Sequence, residues 1–145
     1  MVASVVSDFQ IEASKKNIRI NPPENPGPLP MKCYPLEIRI ILSNLISNAI
    51  KYNCEGGSVD IVIEKNADHV IIKVSDTGIS ISPEDIKRLF NEFVRIKNEK
   101  TKKTEGSGLG LYIVRRLSEL YKGSVAAESI PGKGSVFTVC LPLSS

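Results

Sequence analysis

The order of helix-like and strand-like segments in this chain predicts an α/β fold: a two-layer sandwich in which a mixed five-stranded sheet is covered on one face by three helices. Three observations carry that expectation. Leu36 to Tyr52 places apolar side chains at helical spacing over about five turns. Two pairs of alternating segments, 58–64 with 69–75 and 124–128 with 135–141, are each joined by a short polar or Pro-Gly connection, the pattern of antiparallel hairpins. A chain of 145 residues, 41% hydrophobic and 24% charged, suits one domain with one core.

The elements follow in order. Val2, Val5, Val6, Phe9 and Ala13 recur at helical spacing and predict a first helix over residues 2–15, which reads as the remnant of a connection to a preceding domain. Asn17 to Ile20 alternates as a short strand. Residues 21–30 hold five prolines, and because proline fixes φ and lacks a donor, this stretch is an extended loop. The helix from Leu36 to Tyr52 buries Ile38, Ile41, Leu42, Leu45, Ile46, Ala49 and Ile50, and Asn53 to Gly57 ends it in a turn. After the first hairpin, Ser82-Pro83-Glu84-Asp85 offers an N-cap, a proline at N1 and first-turn acids to a helix reaching about Phe93. Residues 95–107 are polar, charged and aperiodic and read as a mobile loop. A last helix spans about Gly108 to Tyr121, with Leu111, Val114, Leu117 and Leu120 on one face and Lys122-Gly123 closing it.

Composition excludes several classes. No apolar run approaches the roughly 20 residues of a membrane helix, and Met1 to Ser4 lacks the basic region of a signal peptide, so a cytoplasmic domain without membrane contact is expected. Cys33, Cys54 and Cys140 form no C-x-x-C and read as structural thiols. The net charge of +3 is mild, and no aromatic interleaves the basic residues of the 95–103 stretch, so nucleic acid is not an expected partner.

Three short boxes carry the candidate chemistry. Asn44 and Asn48 are four apart and share a helix face, and Lys51 reaches the same edge. Their amide oxygens suit a hard cation such as Mg²⁺ and the lysine suits a phosphate, although the same residues also fit an ordinary polar helix edge. Asp76-Thr77-Gly78 ends an apolar strand; a carboxylate there needs a donor, which the exocyclic amine of adenine could supply, while by itself the tripeptide is a common strand-ending turn. Gly106-Ser107-Gly108-Leu109-Gly110 leads directly into a helix, so uncovered N–H groups and the helix dipole suit a polyphosphate. The spacing is neither a dinucleotide fingerprint nor a P-loop. Arg95, Lys97, Lys100, Lys102 and Lys103 crowd the loop before that box and suit a lid over phosphates.

These boxes, in this order, resemble the catalytic ATP-binding domain of two-component sensor histidine kinases in the GHKL superfamily. The resemblance runs from about Ile18 to Leu143: Asn44 to Tyr52 is similar to the N box, Asp76-Thr77-Gly78 to the G1 box, Leu89 to Phe93 with Arg95 to the F box, and Gly106 to Leu111 to the G2 box. It implies that Asn48 coordinates Mg²⁺ with help from Asn44, Lys51 contacts phosphate, Tyr52 flanks the nucleotide, and Asp76 binds the adenine amine. It further implies that Gly78 and Ile81 line the base pocket, that Arg95, Lys103 and Ser107 approach the phosphates from a 95–107 lid, and that Gly106, Gly108, Leu109, Gly110 and Leu111 contact the nucleotide at the last box. Three departures stand out: Ser80 replaces the second glycine of the G1 box, an arginine common before the G2 box is absent, and the only histidine, His69, opens a strand with no acidic residue after it.

The same resemblance separates branches. Hydrolytic relatives similar to gyrase, Hsp90 and MutL carry a water-activating glutamate where this chain has Asn44, and an amide cannot take a proton from water. The implied activity is therefore transfer of the γ-phosphoryl of Mg-ATP to a histidine on a separate dimerisation domain, itself serving a response regulator. A nucleotide-sensing module without transfer, or a GHKL ATPase, are the alternatives. A membrane anchor, where the full-length protein has one, would lie outside this domain.

Overall fold

The computed structural model describes residues 2–23, 35–66, 68–78, 82–88, 90 and 110–142. Its elements are α1 (Val2–Lys15), β1 (Arg19–Asn21), α2 (Pro35–Lys51), β2 (Ser58–Lys65), β3 (His69–Asp76), α3 (Pro83–Arg88), α4 (Gly110–Leu120), β4 (Ser124–Ile130) and β5 (Gly134–Pro142). The expected continuation of α3 to Phe93 and the start of α4 at Gly108 lie outside the described residues, and Phe90 stands in a turn.

The five strands form one sheet in the order β1-β2-β3-β5-β4. β1 runs parallel to β2, and the other three pairings are antiparallel, so the sheet is mixed as expected. Side-chain alternation makes it one-sided. Val59, Ile61 and Ile63 of β2, Val70, Ile72 and Val74 of β3, and Phe137, Val139 and Leu141 of β5 are buried beneath the helices. The same parity continues to Asp76 on β3 and Ser135 on β5, which are paired in register, so a carboxylate sits at the end of the apolar stripe.

α2 is the centre of the helical layer, packing against α1, α4, β2 and β3. All seven apolar residues of its expected face are buried, each such burial contributing about 1.5–3 kcal/mol for the larger side chains. α1 lies against α2 and β1, with Val5, Val6 and Ala13 in the core. Across this contact Arg39 Nη2 donates to Asp8 Oδ2 at 2.6 Å and Nη1 to Ser4 Oγ at 3.0 Å. At the other side Tyr121, just past α4, hydrogen-bonds through its hydroxyl to the Glu37 carboxylate at the start of α2.

Helix ends obey local chemistry. The Ser82 hydroxyl accepts from Asp85 N–H at 3.2 Å, the expected N-cap. Asn17 (φ 54) and Lys122 (φ 61) take the left-handed conformation after α1 and α4, where Ile18 N–H reaches Ala13 O and Gly123 N–H reaches Ser118 O, the Schellman pattern.

On α4 the buried face differs from the expected one. Leu120 is 66% exposed, whereas Ser118 is 0% exposed. Nine residues at 100° each carry Leu120 to the side opposite Leu111, while Ser118 follows Leu111 and Val114 inward. Its buried hydroxyl is satisfied by donating to Val114 O at 2.7 Å.

Candidate nucleotide site

The C-terminal half of α2 is the spine of the site. Asn44 and Asn48 are both half-buried, one turn apart, and Lys51 is exposed beyond them. The Asn44 amide nitrogen donates back to Ile40 O at 2.9 Å, which fixes its rotamer and turns its oxygen toward the start of α4. A Cβ on Gly110 would stand 3.0 Å from that oxygen, so the first residue of α4 approaches Asn44 closely. The helix that the glycine-rich box introduces thus begins beside the first asparagine. Leu111, next along, is buried in the core cluster.

The other end of the spine meets the β3 turn. Tyr52 is half-buried, and a Cβ on Gly78 would lie 2.2 Å from Tyr52 O and 2.7 Å from Asn53 Cα. Only a residue without a side chain lets the Asp76-Thr77-Gly78 turn seat on the end of α2. The turn is closed by Gly78 N–H donating to Asp76 Oδ1 at 2.9 Å. Asp76 is only 8% exposed. Desolvation pushes its pKa from 3.8 up to about 6, against the opposing pull of backbone hydrogen bonds from Gly78 and Ser135. A carboxylate held in this way has acceptor capacity left for a donor entering the site.

Supporting bonds were invisible to motif reading. Lys16 Nζ donates to Ile50 O at 3.1 Å and Lys51 O at 2.8 Å, capping α2 with a cation where the dipole is negative. The buried Asn53 amide donates to Ser58 O at 2.9 Å and accepts from Thr77 Oγ1 at 3.0 Å. A helix-ending asparagine before Gly56-Gly57 was the available signal for it, but its partner lies 24 residues away.

Of the expected site residues, Asn44, Gly110 and Leu111 lie at one end of this arrangement and Tyr52, Asp76 and Gly78 at the other, with Asn48 and Lys51 on the stretch of α2 between them. Ile81, Arg95, Lys103, Gly106, Ser107, Gly108 and Leu109 lie outside the described residues, as do Ser80 and the 95–107 loop.

An amide-bearing helix edge, a buried strand-end carboxylate and a glycine-led second helix, joined on a one-sided mixed sheet, define the GHKL class of ATP-binding sandwiches. The chain belongs to the family of histidine kinase-, DNA gyrase B-, and HSP90-like ATPases, whose profile matches residues 33–145. Curated relatives are sensor histidine kinases. RppB of Synechocystis is 44% identical over 72% of this chain and 23% of its own length, and WalK of Bacillus subtilis is 40% identical over 73% and 18%. This chain therefore spans about a fifth of the length of those relatives. Among solved structures, the nucleotide-free catalytic domain of histidine kinase ThkA superposes with a TM-score of 0.83 at 26% identity, covering 99% of this chain and 92% of that one. Full-length ShkA in complex with AMPPNP gives 0.84 at 30% identity, covering 99% and 29%. Among the described residues no helix is long and apolar enough to cross a membrane.

Proposed function

We propose that this chain binds Mg-ATP along the C-terminal half of α2 and presents the γ-phosphoryl to a histidine of a dimerisation domain in two-component signalling. The observation that carries the reading is the position of the two glycine contacts on one helix. Gly78 abuts Tyr52 and Gly110 abuts Asn44. Eight residues of helix separate these points by about 12 Å, a span suited to a nucleoside triphosphate with its base at Asp76 and its phosphates at the start of α4.

Each residue has a role in this reading. Asp76 accepts the adenine amine, and Gly78 lets the ring approach the backbone. Asn48, with Asn44 one turn away, faces the phosphates. The donor set suits magnesium, which needs few protein ligands where phosphate oxygens and water complete its octahedron. Bound there, the ion would neutralise phosphate charge. The N–H groups of the first turn of α4, at the positive end of its dipole, and the Lys51 ammonium would add to that neutralisation. Asn44 is neutral, and its nitrogen is committed to Ile40 O, so it cannot act as a general base for water. That favours transfer to an incoming nucleophile over hydrolysis, since phosphoryl transfer depends mainly on positioning and charge neutralisation. The ThkA structure in complex with the response regulator TrrA supports a response regulator as the downstream partner.

The test uses γ-labelled ATP, Mg²⁺ and the acceptor-histidine domain of the same kinase. Label on the histidine supports the proposal, tight binding without transfer favours a sensing module, and steady hydrolysis by this chain alone would overturn the role given to Asn44. Asn48→Ala is expected to abolish Mg-ATP binding by calorimetry while the circular dichroism spectrum and melting curve stay close to the parent; unchanged affinity removes the metal assignment.

A further inference from the structure

Asn53 lies outside every box, yet its side chain makes three hydrogen bonds beside the site. It is 8% exposed and follows the last turn of α2. Its Nδ2 donates to Ser58 O at 2.9 Å, and its Oδ1 accepts from Cys54 N–H at 2.8 Å and from the Thr77 hydroxyl at 3.0 Å. Thr77 Oγ1 in turn accepts from Ser58 N–H at 2.9 Å, and Thr77 N–H donates to Ser58 O at 3.3 Å. One amide and one hydroxyl therefore tie together the end of α2, the start of β2 and the turn after β3.

The consequence concerns register. Asn44 and Asn48 ride on α2, whereas Asp76 and Gly78 ride on β3. The backbone contact of Gly78 with Tyr52 only prevents the two from approaching further; it does not hold them together. The Thr77 hydroxyl donated to Asn53 supplies a hold from the middle residue of the turn, beside the weaker bond from the Cys54 thiol to Thr77 O at 3.4 Å, and burial of the amide makes an unsatisfied partner costly.

We propose that Asn53 is a positioning residue for adenine recognition: through Thr77 it sets the Asp76-Thr77-Gly78 turn in register with the asparagines of α2. The inference rests on the nucleotide-binding reading above. Asn53 touches no reacting group itself.

The test is a double-mutant cycle with Asn53→Ala and Thr77→Val, read as ATP and GTP affinity by calorimetry well below each variant's melting temperature. Each single change is expected to weaken ATP binding about tenfold and to shrink the ATP-to-GTP preference. The double variant is expected to lose less than the product of the two single losses, because the Asn53–Thr77 bond is broken once, while Ser58 N–H loses its Thr77 acceptor in addition. Lowered melting temperatures with ATP affinity and ATP-to-GTP preference unchanged would mean a purely structural role and overturn the proposal. Multiplicative losses in the double variant would also overturn it, since Asn53 would then act independently of Thr77. Should Asn53→Ala fail to fold, Thr77→Val removes only a hydroxyl, and an unchanged nucleotide preference in that variant overturns the proposal by itself. A parent chain that binds no ATP removes the nucleotide reading and this inference together, a result distinct from a parent that binds and variants that bind equally.

Discussion

Asp76→Asn is expected to remove the preference for adenine and, in the absence of nucleotide, to raise the melting temperature at neutral pH. Both effects come from the burial of one carboxylate at the end of the core-facing stripe of β3. Desolvation raises its pKa to about 6, above the 3.8 of an exposed aspartate. Between about pH 4 and pH 6 the folded domain thus holds a proton that the unfolded chain has released. Stability falls as pH rises through that window, and the cost is complete above it, on the order of 3 kcal/mol for a shift of this size. An amide has no charge to desolvate and keeps an oxygen for Gly78 N–H, while the hydrogen bond lost at Ser135 N–H takes back part of the gain, so the variant recovers about 1–2 kcal/mol at pH 7. Yet the amide presents fewer acceptor positions to the adenine amine, so ATP affinity falls and GTP is no longer disfavoured. In the parent, ATP affinity should decline as pH drops through about 6, where the Asp76 carboxylate takes up its proton. Thermal melts and calorimetry from pH 5 to pH 8 on both proteins test this. A variant less stable than the parent at pH 7, with the same pH profile of ATP binding, would refute it.

Gly134→Ala is expected to be the most damaging single methyl in the described structure. Gly134 opens β5 at φ +114, a conformation that L side chains rarely adopt, and a Cβ there would stand 1.9 Å from Asp76 O and 2.9 Å from Thr77 Cα. All of the atoms met are backbone, so relief requires parting β5 from the end of β3, where the candidate site lies. The expected result is loss of several kcal/mol or failure to fold, with ATP binding lost. Gly132 is the control. Its φ of +78 is also left-handed, but a Cβ there meets nothing within 4 Å. Gly132→Ala should cost only about 1 kcal/mol and leave nucleotide affinity intact. Comparable denaturation midpoints for the two variants would contradict the assignment of Gly134 to close packing.

Much of the fold was legible because its elements are strongly periodic. The seven apolar residues of α2 and the alternation of β2, β3 and β5 each point to one face, and the structure buries those faces. Where the period was applied too loosely, as on α4, the prediction put Leu120 inward and overlooked Ser118. The candidate site was legible as three boxes because glycines and asparagines mark close approach and polar recognition. Its supports were not: Lys16 caps a helix 34 residues away, and Asn53 meets Thr77 across 24.

By itself, then, the sequence determined the helices, the hairpins, the order of the boxes and the presence of an amide at Asn44, because each depends on residues a few positions apart. Only the tertiary structure decided that β1 joins the sheet in parallel beside β2, that Asp76 is buried enough to titrate near pH 6, and that Gly78 and Gly110 bracket one helix. Those facts depend on desolvation and on contacts between segments distant in the chain, and neither is encoded in local spacing.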